Sequence, residues 1–361
     1  MADYLNHYKD KVVLVTGGGG AIGTNLVRKI AQLGAKKVMI LDDMSAAYEW
    51  NIPSLPNVLF VEGSICDEVC LKRVFAEKPD IVYHLAAFFA NQNSVDYPQR
   101  DLEVNGKGTL LIYQYAQMSN TEKVVYASSG CSIYGSAAPL PLKEEFMSMK
   151  LTTPYQITKM LGELYANFYH HHYNVPIVKA RFFNSYGPGE VPGQYRNVIP
   201  NFIYRAMKGM PLPFTGTGEE TRDFTFVGDI VDGLLRAGYF EEAIGEEFNL
   251  ASGREVKILE MAEKVNALVG NKAGILRAPP RVWDTKKRLL ASVEKAGKLI
   301  GYNPDQDFDE GLKITVQWFK DNWEAIDRDA EFPPGMSSAV SGVTDDKELE
   351  VPGAEPQAKA S

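Results

Sequence analysis

Cysteine is scarce in this chain of 361 residues: there are three, Cys66, Cys70 and Cys131, and no two form a Cys-x-x-Cys pair. That is too few and too scattered for a disulfide framework, and it removes the usual thiolate ligands of zinc, so a reducing compartment is expected. Long apolar runs are missing as well. None approaches the ~18 residues needed to cross a bilayer, and Met1 to Lys11 lacks the apolar core of a secretory signal. A soluble, cytoplasmic protein with no membrane partner is expected. Histidine is rare, and three of the five stand side by side as His170, His171 and His172. Consecutive helical residues point ~100° apart, whereas metal ligands need i, i+3 or i, i+4 spacing, so no metal site is expected. Positive charge is also in deficit, with 38 Lys and Arg against 46 Asp and Glu and a net charge of −8. Without a basic stripe, nucleic acid is not the expected partner. Small-molecule chemistry is what remains.

What is present is a repeated alternation of apolar strands and amphipathic helices. Lys11–Thr16 reads as a buried strand, Ala21–Leu33 as a helix and Lys37–Leu41 as a second strand, which together make a β-α-β unit. Strands follow near Val58–Val61, Ile81–His84 and Lys123–Ala127, with helices near Glu68–Ala76 and Leu102–Met118. Pro154 opens a long helix to about Tyr173, and Pro176–Arg181 is another strand. This order predicts an α/β fold with a doubly wound parallel sheet of Rossmann type. Beyond Asn184 the pattern breaks into Gly- and Pro-rich sequence and short elements, so the expected division is 1–184 for the sheet domain and 185–330 for a smaller, irregular α/β lobe, with segments free to return to the sheet. Residues 331–361 are expected to be a flexible tail.

Thr16-Gly17-Gly18-Gly19-Gly20-Ala21-Ile22-Gly23 falls between the first strand and helix. Glycines there let bare backbone and helix-terminal N–H groups approach a pyrophosphate. The run fits Gly-x-Gly-x-x-Gly and equally Gly-x-x-Gly-x-x-Gly. Asp42 ends the second strand, where a carboxylate accepts bonds from ribose hydroxyls and repels a 2′-phosphate, favouring NAD over NADP. Further on, Tyr155 and Lys159 lie four residues apart on one helix face. An ammonium beside a phenol is expected to lower its pKa, making Tyr155 a base for a substrate hydroxyl.

These motifs, together with His84–Ala87, Asn105 with Gly108-Thr109, Ser128–Gly135, Arg181–Asn184 with Tyr186-Gly187-Pro188, and Arg222-Asp223-Phe224, resemble the extended short-chain dehydrogenase/reductase family. The likeness is to its nucleotide-sugar epimerases and dehydratases, over about Lys11 to Trp323. The resemblance implies NAD held by Gly17, Gly20, Ala21, Ile22, Gly23, Asp42, Ser64, Ile65, Leu85, Ala86, Ala87, Asn105, Tyr155, Lys159 and Phe182. It implies a nucleotide sugar between the lobes, with Asn184, Arg222 and Arg281 at its diphosphate, and a homodimer formed by paired helices.

The chain departs from the family in two places. Ser64 stands where an adenine-binding Asp is usual. The catalytic Ser or Thr would fall at position 130, which is Gly130, so Ser129 becomes the expected hydroxyl; where family dehydratases carry Asp-Glu, this chain has Cys131 and Ser132. The favoured expectation is therefore a nucleoside-diphosphate-hexose 4-epimerase using Ser129, Tyr155 and Lys159. An alternative is a 3/5-epimerase or dehydratase in which Cys131 moves a carbon-bound proton, since Ser128–Cys131 resembles a segment of GDP-mannose 3,5-epimerases; as a small apolar side chain Cys131 would need no such role. A non-catalytic nucleotide sensor would have no use for the Tyr155 and Lys159 pair.

Overall fold

The computed structural model of the protein describes residues 3–278 and 286–331. Val13, Leu14 and Val15 are all fully buried. A strand with no solvent-facing residue needs cover on both sides, which is the requirement of a central parallel strand. Around it stand β1 (Val12–Thr16), α1 (Ala21–Gln32), β2 (Lys37–Asp42), β3 (Val58–Glu62), α2 (Glu68–Phe75), β4 (Ile81–His84), α3 (Thr109–Ser119), β5 (Lys123–Ser129), α4 (Pro154–Tyr173), β6 (Ile177–Phe182), α5 (Val227–Tyr239) and β7 (Glu247–Leu250). The strands form one seven-stranded sheet in the order β7-β6-β5-β4-β1-β2-β3. Every pairing in it is parallel.

The period-2 alternation of the strands sorts the core onto two faces. Val13, Val15, Val38 and Ile40 join Leu26, Ile30, Ile230 and Leu234, from α1 and α5, on one face. Leu14, Met39, Leu41 and Val82 join Leu71, Ile112 and Ala166, from α2, α3 and α4, on the other. Strand order reverses between β1 and β4, and the crevice above their carboxyl ends is where such sheets bind ligands.

The smaller lobe has its own core, in which Phe202 and Ile203 pack with Phe214, Met261, Val265, Leu312 and Phe319. Leu212–Thr215 pairs in parallel with Ile275–Ala278 there. The cut expected at residue 184 is not a clean one in space. Residues 227–250 return to the sheet as α5 and β7, because Phe248 and Leu250 are buried against β6 and need the same helical cover as their neighbours. The tail expected over 331–361 lies outside the described residues from position 332 onward. Among the described residues no helix is long and apolar enough to cross a membrane.

The helix expected over Leu102–Met118 has a π-helical turn at Leu102–Gly108 before α3 begins. That wider turn is a common device near functional sites.

Candidate active site

The glycine run sits where β1 meets α1, at the reversal point. Gly17 has φ +68°, and a Cβ there would lie 2.6 Å from the Ala86 nitrogen. A Cβ at Gly23 would lie 2.3 Å from the Gly17 oxygen, so neither position tolerates a side chain. At Gly20 the nearest atom is 3.4 Å away, which leaves its face toward the cavity open. Asp42, at the end of β2, accepts the Gly19 N–H at 2.9 Å and the Met44 N–H at 3.0 Å. Burial pushes its carboxyl up while these two N–H groups pull it down. Ser64, Ile65, Leu85, Ala86, Ala87 and Phe182 line the same cavity, of about 550 Å³, as Gly17, Gly20–Gly23 and Asp42.

Asn105 does not belong to that lining. Its buried amide accepts the Phe88 N–H at 2.7 Å and donates to the Phe88 carbonyl at 3.1 Å and to Asp101 at 2.8 Å. The π-helical turn directs it behind the cavity, where it holds the 85–91 loop in place.

Thr153 caps α4 through its side chain and Pro154 takes the first turn, which fixes where the helix starts and hence where Tyr155 points. Tyr155 and Lys159 both reach the cavity. The Lys159 ammonium donates to the Ala127 carbonyl at 2.8 Å and lies 5.7 Å from the centre of the Tyr155 ring. The expected lowering of the phenol is not found. Burial pushes Tyr155 well up, with the nearby Asp101 charge adding to it and a hydrogen bond with Ser129 opposing it. Lys159 itself is pushed down to about 8 by burial, against the charges of Asp101 and Glu163.

Gly130 could carry no hydroxyl here, because a Cβ would fall 2.0 Å from the ring of Phe183. The hydroxyl beside Tyr155 comes instead from Ser129, the last residue of β5, which also donates to Ser132 at 2.9 Å. Cys131 lines the cavity, and its sulfur accepts the Asn184 N–H at 3.4 Å. Burial pushes its thiol up, while the charges of Lys286 and Arg222 act in the opposite sense. Behind these groups a buried pair, Arg181 with Glu163 at 2.7 Å, ties β6 to α4, and Ser128 donates to the same carboxylate at 2.5 Å.

The other half of the cavity brings in Asn184, two residues past β6, and Arg222 from the smaller lobe. Arg222 donates to the Thr221 and Lys286 carbonyls at 2.9 and 3.1 Å. Arg281 lies outside the described residues. Sequence reasoning missed Phe89, Glu190, Tyr195, Arg196 and Lys286, which also line the cavity. The run Tyr195-Arg196-Asn197, directly after Gly- and Pro-rich sequence, was the available signal for part of this set. Among the described residues no cluster of three His, Cys, Asp or Glu could hold a metal ion.

The NAD dependent epimerase/dehydratase family model matches residues 13–251. A UDP-glucose 4-epimerase of Mycolicibacterium smegmatis is 33% identical over 310 residues, which is 85% of this chain and 98% of that protein. The structure of epimerase Mth375 from Methanothermobacter thermautotrophicus superposes with a TM-score of 0.90 at 55% identity, covering 91% of this chain and 98% of that one. That of the enzyme WbmF of Bordetella bronchiseptica in complex with NADH does so with 0.80 at 37% identity, covering 90% and 96%. dTDP-glucose 4,6-dehydratases are also among the similar proteins.

The glycines that exclude side chains, the open start of α1, the Asp42 carboxylate and the Tyr155 and Lys159 pair together make a cradle that fits NAD.

Proposed function

Because this chain belongs to the NAD dependent epimerase/dehydratase family, we propose that it is a nucleoside-diphosphate-hexose 4-epimerase working through a 4-keto sugar. One observation carries the choice within the family: the wall beside Tyr155 offers the Ser129 hydroxyl, the Cys131 thiol and the Ser132 hydroxyl, and positions 131 and 132 hold no carboxylate. Loss of water from the sugar needs an acid and a base next to the 4-keto group, and those positions supply neither.

In this proposal Tyr155 takes the proton of the 4-hydroxyl, and Ser129 hydrogen-bonds the reacting oxygen. NAD, when bound, supplies reversible hydride exchange with C4. The Lys159 charge favours the tyrosinate that accepts this proton, and the same ammonium would hold the ribose hydroxyls of the cofactor. The 4-keto sugar then turns so that C4 presents its opposite face to the cofactor side of the cavity, and Tyr155 returns its proton to the 4-oxygen. Asn184 and Arg222 hold the diphosphate, since a guanidinium suits phosphate oxygens. The cysteine-assisted alternative requires a thiolate at Cys131; burial opposes that state, and the nearby Lys286 and Arg222 charges do not outweigh it.

Two further parts of the proposal concern setting. Two copies pair through α4, and the protein works in a reducing cytoplasm, in keeping with its free Cys66, Cys70 and Cys131.

Purified protein given NAD and a panel of UDP-, dTDP- and GDP-hexoses tests the activity. The expected result is an equilibrium mixture of C4 epimers with no lasting rise in NADH absorbance. Stoichiometric NADH with an oxidised sugar would exclude epimerisation.

A further inference from the structure

Residues 187–197 leave the smaller lobe and cross the cofactor side of the cavity. Asn25 of α1 donates to the Pro188 carbonyl at 2.8 Å, and Asn51 donates to the Gly189 carbonyl at 2.9 Å. Gly189 has φ +102°, and a Cβ there would meet the Ala21 oxygen, Thr24 and Asn25 at 3.1 Å. The segment therefore rests on the first turn of α1, beside the pyrophosphate cradle. At its far end Tyr195 donates to Asp96 at 3.1 Å, and the Arg196 guanidinium donates to the Ala46 carbonyl in the loop after β2.

The segment is braced internally. Asn201 accepts the Gly193 N–H at 2.9 Å and donates to its carbonyl at 3.0 Å. The buried Glu190 carboxylate accepts both the N–H and the side-chain amide of Asn197 at 3.2 Å. Glu190, Tyr195, Arg196 and Asn197 all face the cavity shared with Gly20–Gly23 and Asp42. Arg196 lies close enough to Asp42, Tyr48 and Glu190 for its charge to act on all three.

Electrostatics gives this arrangement a purpose. Asp42 and Glu190 are two carboxylates in a cavity that must admit a diphosphate, and an anion repels anions unless a cation stands between them. A guanidinium carries five N–H groups in a planar fork, enough to serve Ala46, Tyr48 and a ribose or pyrophosphate oxygen together.

We infer that Arg196 is a cofactor-holding residue contributed by the smaller lobe. Its guanidinium closes over the adenosine diphosphate half of NAD, and residues 187–197 are the strap that ties this closure to the sugar-binding side. An enzyme that returns the hydride to its own substrate gains nothing from releasing the cofactor, and the strap slows that release. The inference rests on the NAD cradle described above.

The test is the rate at which NAD leaves the loaded protein, followed by timed gel filtration and chromatographic assay of the bound nucleotide. Arg196→Met keeps the apolar stem and removes the charge; it is expected to release NAD at least 10-fold faster. Arg196→Lys is expected to fall between the two and to become more sensitive to salt. Tyr195→Phe removes the strap's bond to Asp96 and keeps the ring on the cavity wall; it is expected to speed release by a smaller factor, which keeps the inference testable even if Arg196→Met folds poorly. Release from folded Arg196→Met and Tyr195→Phe at the wild-type rate would overturn it. Wild-type protein that binds no NAD would overturn the cradle assignment as well, and this outcome is distinct from the first.

Discussion

At Tyr155 burial pushes the phenol up, with the Asp101 charge adding to it and the hydrogen bond with Ser129 opposing it. Four-residue spacing puts Tyr155 and Lys159 on one helix face, but it does not say where the ammonium points, and here it is bonded to the Ala127 carbonyl. Tyr155→Phe keeps the ring and its edge contact with Phe89, whose centres lie 5.9 Å apart at 90°, and removes only the oxygen. Its kcat is expected to fall by ~10² or more with little change in nucleotide-sugar binding. Steady-state kinetics alongside direct titration checks this, and a near-normal kcat would make Tyr155 structural. At this scale the residues legible in the sequence were those whose positions follow from local geometry: the glycines at a strand-to-helix turn, Asp42 at a strand end and Tyr155 on a capped helix. The bonds of Asn105 to Phe88 and Asp101 were not legible, because they depend on a π-helical turn that the apolar spacing does not signal. The exclusion of a side chain at Gly130 depends on the ring of Phe183, 53 residues away, a contact that no local pattern carries.

The elements follow the sequence closely where a hydrophobic period is long and unbroken, and α4 shows why. Thr153 caps it, Pro154 occupies its first turn, and Asn174 ends it in the left-handed region. Its inner face carries Tyr155, Lys159, Gly162, Glu163 and Ala166. Gly162 is required there because a Cβ would fall 2.2 Å from the Tyr126 hydroxyl. The outer face is unexpectedly apolar, with Ile157, Leu164 and Phe168 each about half exposed, at 53%, 52% and 47%. These positions lie on one stripe of the helix, and Leu102 and Met118, exposed on the neighbouring helical segments, add to the apolar surface. An exposed apolar stripe is a candidate pairing surface, and a two-fold axis would set the same stripe of a second copy against it. Sedimentation is expected to give twice the 40.1 kDa chain mass, and Leu164→Glu to return it to the single-chain value with the fold retained. A wild-type protein that sediments as a single chain would contradict the pairing.

Across the whole molecule, the site exists because two lobes share one cavity at the point where the strand order reverses. The parallel sheet was legible in sequence, since consecutive buried strands separated by helices leave few topologies. The smaller lobe was legible only as an irregular α/β region, because its strands are two to four residues long and its cavity-facing segment is rich in glycine and proline, so no period emerges. Residues 227–250 then return to the sheet, which makes the lobes interdependent and places Arg222, Asp223 and the 187–197 strap against the sheet domain's own loops. Within this shared cavity the proposed reaction confines the chemistry to C4 and leaves Cys131 without a proton to move. The most direct measurement uses a nucleotide hexose deuterated at C4 in ordinary water, and the same unlabelled sugar in deuterium oxide, with the positions read by nuclear magnetic resonance. The expected product is a C4 epimer that keeps its deuterium at C4 and gains none from solvent at C3 or C5, with Cys131→Ala retaining substantial activity. Solvent deuterium at C3 or C5 in the wild-type product, lost together with turnover in Cys131→Ala, would contradict it.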